Sequence, residues 1–251
     1  MKSTTFFTAQ LDFVDAGELQ VFVHDKMIKL IDTHLERGYF PAEAMAQAFN
    51  SLRANDLIWN YVVSNYLLGK DPFPFDLLYW NSDSTAMPAM VHHYYLEEFY
   101  IKNAFALGDL ALAGESYGIG DIEGPVYHIA TVEDIAPAHS VYRGAQMMDS
   151  SDVTFVLSGS GHIAGVVNPP TSEKYQYWAA TDVSPASLED WKSANEMVAG
   201  SWWPHWDAWL QGFSKKRVAA RKPGKKLGVL EDAPGSYVRE RFDDPSRKAA
   251  S

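Results

Sequence analysis

Two apolar runs with a helical segment between them constrain the fold of this chain more than any other feature. Val126–Thr131 and Val153–Leu157 have the composition of short buried strands, and Pro137–Met148 between them has the composition of a helix. Two buried strands that are joined through a helix form a βαβ unit, in which the strands are parallel and the crossover is right-handed. We therefore expect an α/β fold with a parallel sheet.

The first hundred residues have the apolar spacing of helices instead. The helical patterns cover 23–35, 41–52, 55–66 and Met87–Phe105. The other end of the chain is basic, because seven of the thirteen residues in 214–226 are Lys or Arg. We expect this tail to be a solvated extension, and an anionic contact is the alternative.

The absence of cysteine and the acidic charge exclude several classes of function. The 251 residues include no cysteine, and 21 Lys and Arg against 32 Asp and Glu give a formal net charge of −11. Disulfides, cysteine-ligated zinc, iron–sulfur clusters and thiolate nucleophiles therefore cannot come from this chain alone. The negative charge argues against general nucleic-acid binding. No run approaches the roughly 18–20 apolar residues of a membrane span, so we expect a soluble cytoplasmic protein.

Two candidate catalytic residues follow the predicted strands. Asp134 comes after the string Val126–Glu133, and His162 comes after the string Phe155–Gly161. An acid after one strand and a histidine after a later one is the chain order of α/β-hydrolases. A carboxylate can orient an imidazole that takes a proton from a nucleophile. Taken alone, Asp134 fits a helix cap or turn residue as well, and His162 fits a structural role as well.

Several long strings of the sequence resemble polyhydroxyalkanoate synthases, most closely the class I (poly-3-hydroxybutyrate) type. The matching strings, in the family's order, are Asn55–Pro88, Val126–Pro137, GSGHIAGVVNPP at Gly159–Pro170 and GSWWPHWDAWL at Gly200–Leu210. The resemblance covers most of this chain but only the carboxyl-terminal portion of such an enzyme. The family's early core strands and its cysteine-bearing nucleophile elbow have no counterpart here.

The resemblance implies both a fold and a reaction. It implies a mostly helical cap-like subdomain at 1–105, the C-terminal part of an α/β-hydrolase catalytic core at 106–213, and a basic extended tail at 214–251. The implied reaction transfers (R)-3-hydroxyacyl groups from CoA thioesters onto a growing polyester. Coenzyme A is then the acyl carrier of the substrate, with no other cofactor and no metal. The implied location is the cytoplasm and the surface of the polyhydroxyalkanoate granule.

Family roles carry over to two positions only. His162 matches the base that activates the cysteine for attack on the thioester, and Asp134 matches the acid that assists by activating the hydroxyl of the incoming acyl unit. The sequence departs from the family pattern Glu-Asp-His-Ile-Ala-Pro-Trp, because Ile135 directly follows the acid and Ala138 replaces the tryptophan. This one-residue deletion leaves the aim of Asp134 open. His139 lies nearby but occupies neither family position.

The missing cysteine predicts that the chain is inactive by itself, since the family's covalent anchor is absent. Three explanations follow. The chain is a fragment or truncated gene product, or it complements a separately encoded N-terminal half. Otherwise it has lost activity and is a non-catalytic partner of an intact synthase, using the cap for dimerisation (a homodimer included) or granule contact.

A serine esterase is a further alternative. Gly114-Glu115-Ser116-Tyr117-Gly118 fits the G-x-S-x-G nucleophile elbow, with Ser116 as the nucleophile. However, no helical pattern follows this motif, and the eighteen residues before Asp134 are too few for the intervening elements. We therefore expect Ser116 to lie in an extended hairpin.

Two other patterns predict structure rather than chemistry. His92 and His93, with Glu97 and Glu98, have ligand-like composition, but adjacent histidines point to different helix faces. Trp202, Trp206 and Trp209 have the spacing of a short amphipathic helix that packs on the core.

Overall fold

A computed structural model describes residues 2–240, apart from 25, 27, 30–37, 73, 75–84, 151, 215 and 223. The chain divides into two compact units, Met1–Phe213 and Ser214–Ser251. The described strands are β1 (Thr4–Phe7), β2 (Tyr39–Phe40), β3 (Met87–Pro88), β4 (Leu110–Leu112), β5 (Glu115–Tyr117), β6 (Val126–Glu133), β7 (Val153–Gly161), β8 (Gln176–Ala180) and β9 (Val198–Ala199). The described α-helices are α1 (Ala42–Leu52), α2 (Ala89–Tyr95), α3 (Ala104–Leu107), α4 (Ala138–Gln146), α5 (Leu188–Ala194) and α6 (Trp203–Gln211).

Five of these strands form a central mixed sheet in the order β1-β6-β7-β8-β9. The predicted βαβ unit is confirmed, because β6 and β7 are parallel and α4 lies between them in the chain. The sheet is not parallel throughout, since β8 and β9 join it in antiparallel orientation. The fold is therefore of the mixed α/β kind.

Both faces of β6 and β7 are covered, which explains why their sequences are continuous apolar runs rather than alternating ones. Val126, Ala130 and Phe155 face a cluster that includes residues of α4 and α5, such as Tyr142 and Trp191. The opposite face of the sheet packs against α6 in a second cluster of Tyr127, Ile129, Val156, Tyr177 and Trp202 with partly buried Val166, Ala179, Trp203, Trp206 and Trp209. The predicted amphipathic helix of tryptophans is thus confirmed.

The expectation of helices from the start of the chain is wrong at Thr4–Phe7. These residues form β1, which pairs in parallel with β6 from Thr4 opposite Val126 to Phe7 opposite Ile129. A four-residue strand whose partner lies more than a hundred residues away has too little local periodicity to be recognised. Most of the predicted helix at 23–35 lies outside the described residues.

The other predicted helices are present with irregular geometry. The helix α1 follows Pro41 as expected, and the predicted third helix consists of two π-helical stretches, Asn55–Trp59 and Val62–Leu67. After α2 the chain continues as the π-helix Leu96–Ile101 and then breaks at Asn103, whose φ is 50°. No helix in the described part of the chain is long and apolar enough to cross a bilayer. In the second unit, the described residues include the short 3-10 helix Tyr237–Arg239.

Candidate functional site

The sheet register brings Asp134 and His162 together. Glu133 at the end of β6 pairs with Gly161 at the end of β7, and each candidate residue is the next one along its strand. Nδ1 of His162 lies 3.4 Å from Oδ1 of Asp134. This distance is longer than the roughly 2.7–3.2 Å of a well-formed N–H···O bond, and such contacts in unliganded sites are often loose. The departure from the family pattern at Ile135 does not turn the carboxylate away from the histidine.

Asp134 is held in place by its own segment. The hydroxyl of Thr131 donates a hydrogen bond to Oδ2 at 3.0 Å, and the backbone N–H of Ile135 donates to Oδ1 at 2.7 Å. The side chain of Asp134 is only 8% exposed, whereas that of His162 is 52% exposed. A fixed, buried carboxylate therefore faces a half-exposed imidazole.

Asp134 and His162 shift each other's pKa. Burial of Asp134 opposes its ionisation, but the hydrogen bond and charge of His162 and the bonds from Thr131 and Ile135 outweigh burial and lower the pKa of Asp134. The hydrogen bond that His162 donates to Asp134 and the negative charge of Asp134 raise the pKa of His162 against a smaller opposing effect of burial. The pair is thus arranged to stabilise an imidazolium beside a carboxylate.

The remaining nitrogen of His162 faces no partner among the described residues. Since Nδ1 contacts Asp134, Nε2 is the nitrogen left to accept a proton, and no hydrogen bond to it occurs within the residues that the structure describes. A cavity of about 320 Å³ adjoins the ring. Its lining residues are Arg53, Leu57, Glu133, Asp134, Ile135, Ser160, Gly161, His162, Ile163 and Ala164. We call this space the histidine cavity.

The segment 159–168, which we call the histidine loop, is tightly closed. The N–H of Gly165 donates to the carbonyl of Gly161 at 2.6 Å. A Cβ at position 165 would lie only 2.5 Å from the carbonyl oxygen of Gly159 and 2.7 Å from that of Gly161, so only glycine fits there. Ser160, two residues before His162, has a φ of 68°, in the left-handed region.

Sequence reasoning missed the groups that hold these two residues. Thr131 lies inside an apolar run and has the appearance of an ordinary β-branched strand residue. The hydroxyl of Ser158 donates to the carbonyl of Gly165 at 2.8 Å, and the indoles of Trp202 and Trp203 bind the same loop from α6. The only signal for the tryptophans was their adjacency at the start of a predicted helix.

Ser116 does not join this site. It lies on β5, which pairs with β4 in a separate two-stranded hairpin, as predicted. The whole of β5 is exposed, and no histidine in the described part of the chain is hydrogen-bonded to Ser116. A helix-mounted nucleophile elbow is therefore not formed at this position.

The described histidines outside the site have structural partners. His92 is buried and stacks on Phe40 with ring centroids 4.1 Å apart, whereas Nε2 of His93 lies 2.9 Å from Glu97. No group of three or more potential metal ligands occurs among the described residues. His139 pairs with Asp15 at 2.7 Å and borders a second cavity, of about 460 Å³, which Asp134 also lines.

Comparison with known proteins finds similarity to the same family that the sequence segments around Asp134 and His162 resemble. The chain is 52% identical over 243 residues to the poly(3-hydroxyalkanoate) polymerase subunit PhaC of Rhizobium meliloti (strain 1021). The matched region covers 96% of this chain and 39% of that protein. It is 46% identical over 242 residues to the poly(3-hydroxyalkanoate) polymerase of Methylorubrum extorquens, covering 95% of this chain and 40% of the relative.

The chain is thus similar to the carboxyl-terminal portion of poly(3-hydroxyalkanoate) polymerases. The subunit PhaC of Cupriavidus necator is also similar, with 38% identity over 247 residues, 94% of this chain and 42% of that protein. No protein-family model matches the chain. The chain spans about two fifths of the length of these curated relatives. The resemblance to this family that the sequence indicated is confirmed.

Proposed function

We propose that this chain supplies the acid–histidine part of a polyhydroxyalkanoate synthase. The reaction is transfer of (R)-3-hydroxyacyl groups from CoA thioesters onto a growing polyester, through a cysteine on polypeptide that this chain does not contain. The observation that carries the proposal is the 3.4 Å contact between Nδ1 of His162 and Oδ1 of Asp134 at the ends of adjacent parallel strands. The homology to the polymerases supports the substrate class.

In this proposal His162 is the base and Asp134 orients it. Nε2 of His162 takes the proton of the cysteine thiol, and the thiolate attacks the thioester carbonyl. A new thioester forms on the cysteine as the bond to CoA breaks, and the CoA thiolate takes the proton from the imidazolium and leaves as a thiol. The fixed carboxylate of Asp134 holds the tautomer that has its proton on Nδ1 and stabilises the imidazolium that forms. In the next step, the pair takes the proton of the hydroxyl of the incoming acyl unit, and the hydroxyl oxygen attacks the thioester on the cysteine. An ester bond forms as the bond to the cysteine breaks, and the cysteine thiolate takes the proton back from the imidazolium.

The proposed architecture is the C-terminal part of an α/β-hydrolase core, 106–213, with a helical cap at 1–105. In it, β6 and β7 carry the acid and the base. The strand β1 is an edge of the described sheet and runs parallel to β6. Another parallel strand added beside β1 would end at the same side of the sheet as Asp134 and His162. We assign this edge to the cysteine-bearing strand of the other half.

Reconstitution tests the proposal. The purified chain is mixed with the N-terminal half of a polymerase, which carries the cysteine-bearing nucleophile elbow. The release of CoA from (R)-3-hydroxybutyryl-CoA is then measured. We expect no release by the chain alone and release by the mixture. His162→Gln and Asp134→Asn should each lower the rate by about 10²-fold or more, the usual contribution of a positioned base. The control His139→Gln should retain the rate, because His139 contacts Asp15 instead. Release by the chain alone, or unchanged release with His162→Gln, would refute the proposal.

A second candidate is a non-catalytic partner of an intact synthase or of the polyester granule. The observation that favours it is the run of large exposed apolar side chains in the helical part, of which Trp59, Tyr66 and Leu67 are more than half exposed. Replacing these three by serine should then abolish co-purification with intact synthase, whereas His162→Gln should not. Under the catalytic proposal the loss of CoA release with His162→Gln is the deciding outcome.

A further inference from the structure

Two indole N–H groups at the start of α6 bind the backbone of the histidine loop. Nε1 of Trp202 donates to the carbonyl oxygen of Gly165 at 2.9 Å, and Nε1 of Trp203 donates to that of Val166 at 2.8 Å. These carbonyls come three and four residues after His162. Trp202 is 1% exposed, so water cannot replace its bond, and breaking it would leave a buried donor unsatisfied.

Both tryptophans pack in the cluster on the face of the sheet that α6 covers, Trp202 fully buried and Trp203 partly buried. The ring of Trp202 packs against Phe7 of β1 and Tyr127 of β6, with centroids 5.8 and 6.1 Å apart. A large ring with only two side-chain torsions loses little further freedom once packed. The two donors therefore link the loop of the histidine to the central sheet.

The contact between His162 and Asp134 is sensitive to the position of the loop. Its ring is half exposed, and its contact with Asp134 is already long at 3.4 Å. A shift of the loop by a few tenths of an ångström would take Nδ1 beyond reach of the carboxylate. Three donors converge on two successive carbonyls of the loop, from Ser158, Trp202 and Trp203.

We propose that Trp202 and Trp203 are positioning residues, whose indole hydrogen bonds to the loop hold His162 in contact with Asp134. The catalytic meaning of this inference rests on the proposed function, but the contact itself does not. Loss of either indole donor should loosen the loop and uncouple the imidazole from the carboxylate.

The test is an NMR titration of His162 in the purified chain, with the signal assigned by comparison with His162→Gln. Trp203→Phe removes one donor to the loop. Trp206→Phe is the matched control, because Trp206 lies on the same helix and donates to Thr5 Oγ1 at 3.1 Å, outside the loop. We expect the pKa of His162 to fall toward its ordinary value in Trp203→Phe and to stay raised in Trp206→Phe. Asp134, Glu133 and Arg53, the charged groups that line the histidine cavity, are unchanged in both variants.

A benzothienyl analogue of tryptophan at position 203 keeps the ring shape without the N–H donor, and it provides a second variant if the phenylalanine variant does not fold. A His162 titration that matches the wild type in the folded analogue, or an equal change in Trp206→Phe, would overturn the inference. These outcomes do not involve turnover. A failed reconstitution with an intact Trp203 effect would therefore refute the catalytic proposal and leave the positioning role in place.

Discussion

At the scale of single residues, the candidate site is a buried carboxylate that holds a half-exposed imidazole. The sequence predicted both positions, because residues after adjacent parallel strands must lie at the same edge of the sheet. It did not predict that Thr131 would hold Asp134, since a threonine within an apolar run has no distinguishing signal. Candidate residues at strand ends can therefore be recognised in the sequence, whereas the residues within a strand that hold them in place cannot.

Replacing Asp134 by asparagine tests this residue-scale account. The carboxylate raises the pKa of His162, so Asp134→Asn should return that pKa toward the ordinary value of about 6.5. NMR titration of the ring measures it. The control Asp15→Asn removes the carboxylate that contacts His139 instead, and it should leave His162 unchanged. A His162 pKa that is the same in Asp134→Asn and in the wild type would contradict the pairing.

The same pair sets a pH window for stability. The pKa of His162 is raised on folding. The contribution of this group to the free energy of unfolding is therefore fully present below about pH 6.5 and is lost as the pH rises through the folded pKa. Because the pKa of Asp134 is lowered, its contribution is present above about pH 3.9 and is lost as the pH falls through the folded pKa. The ion pair therefore stabilises the fold most between those two values.

At the scale of secondary-structure elements, the sequence predicted those strands and helices that have a local pattern of apolar residues. The apolar runs of β6 and β7 and the periodicity of α4 specified a βαβ unit, and the tryptophan spacing specified α6. The strand β1 was missed, because Thr4–Phe7 becomes a strand only by pairing with β6. The indole bonds from α6 to the histidine loop were missed for a similar reason. They join groups 37 residues apart, and no spacing rule encodes them.

The histidine loop should not tolerate a side chain at position 165. In Gly165→Ala the new Cβ would approach two backbone carbonyls within 2.7 Å, so the loop must shift. We expect the free energy of unfolding in urea to fall by about 1–3 kcal/mol, the usual cost of overpacking, and the pKa of His162 to move toward its ordinary value. Gly212→Ala is the control, because Gly212 has helical geometry at φ −55°. Wild-type stability in Gly165→Ala would contradict the described loop.

The strand β6 contains a histidine that should destabilise the fold in acid. His128 is fully buried, and Nε2 donates to the carbonyl of Ala9 at 2.9 Å while Nδ1 has no partner among the described residues. Burial lowers the pKa of His128 to about 4. Since the unfolded chain binds a proton there below about pH 6.5, stability should fall by about 3 kcal/mol between pH 6.5 and 4.

Urea unfolding of His128→Leu across this pH range checks the expectation. The variant should lose less stability on acidification than the wild type, whatever its stability at neutral pH. His24→Gln, at an exposed position, serves as the control and should keep the wild-type slope. An unchanged slope in His128→Leu would show that the buried ring is not the proton-linked group.

At the scale of the whole molecule, the proposal assigns the base to this chain and the nucleophile to another polypeptide. The described sheet of this chain ends at β1, and its sequence has no cysteine. The acid–histidine pair is already assembled at the end of the sheet. In the proposed enzyme this chain therefore provides proton transfer, and the other half provides the covalent anchor.

The most direct test of this division is the reactivity of the cysteine in the other half. An N-terminal half of a polymerase with a single cysteine is alkylated with iodoacetamide across a range of pH. The reaction is run with this half alone and with its complex with this chain, whose formation is verified by gel filtration. The account predicts faster alkylation at neutral pH in the complex, because His162 accepts the thiol proton, and no acceleration in a complex with His162→Gln. Alkylation that is no faster in the wild-type complex than in the His162→Gln complex would contradict it.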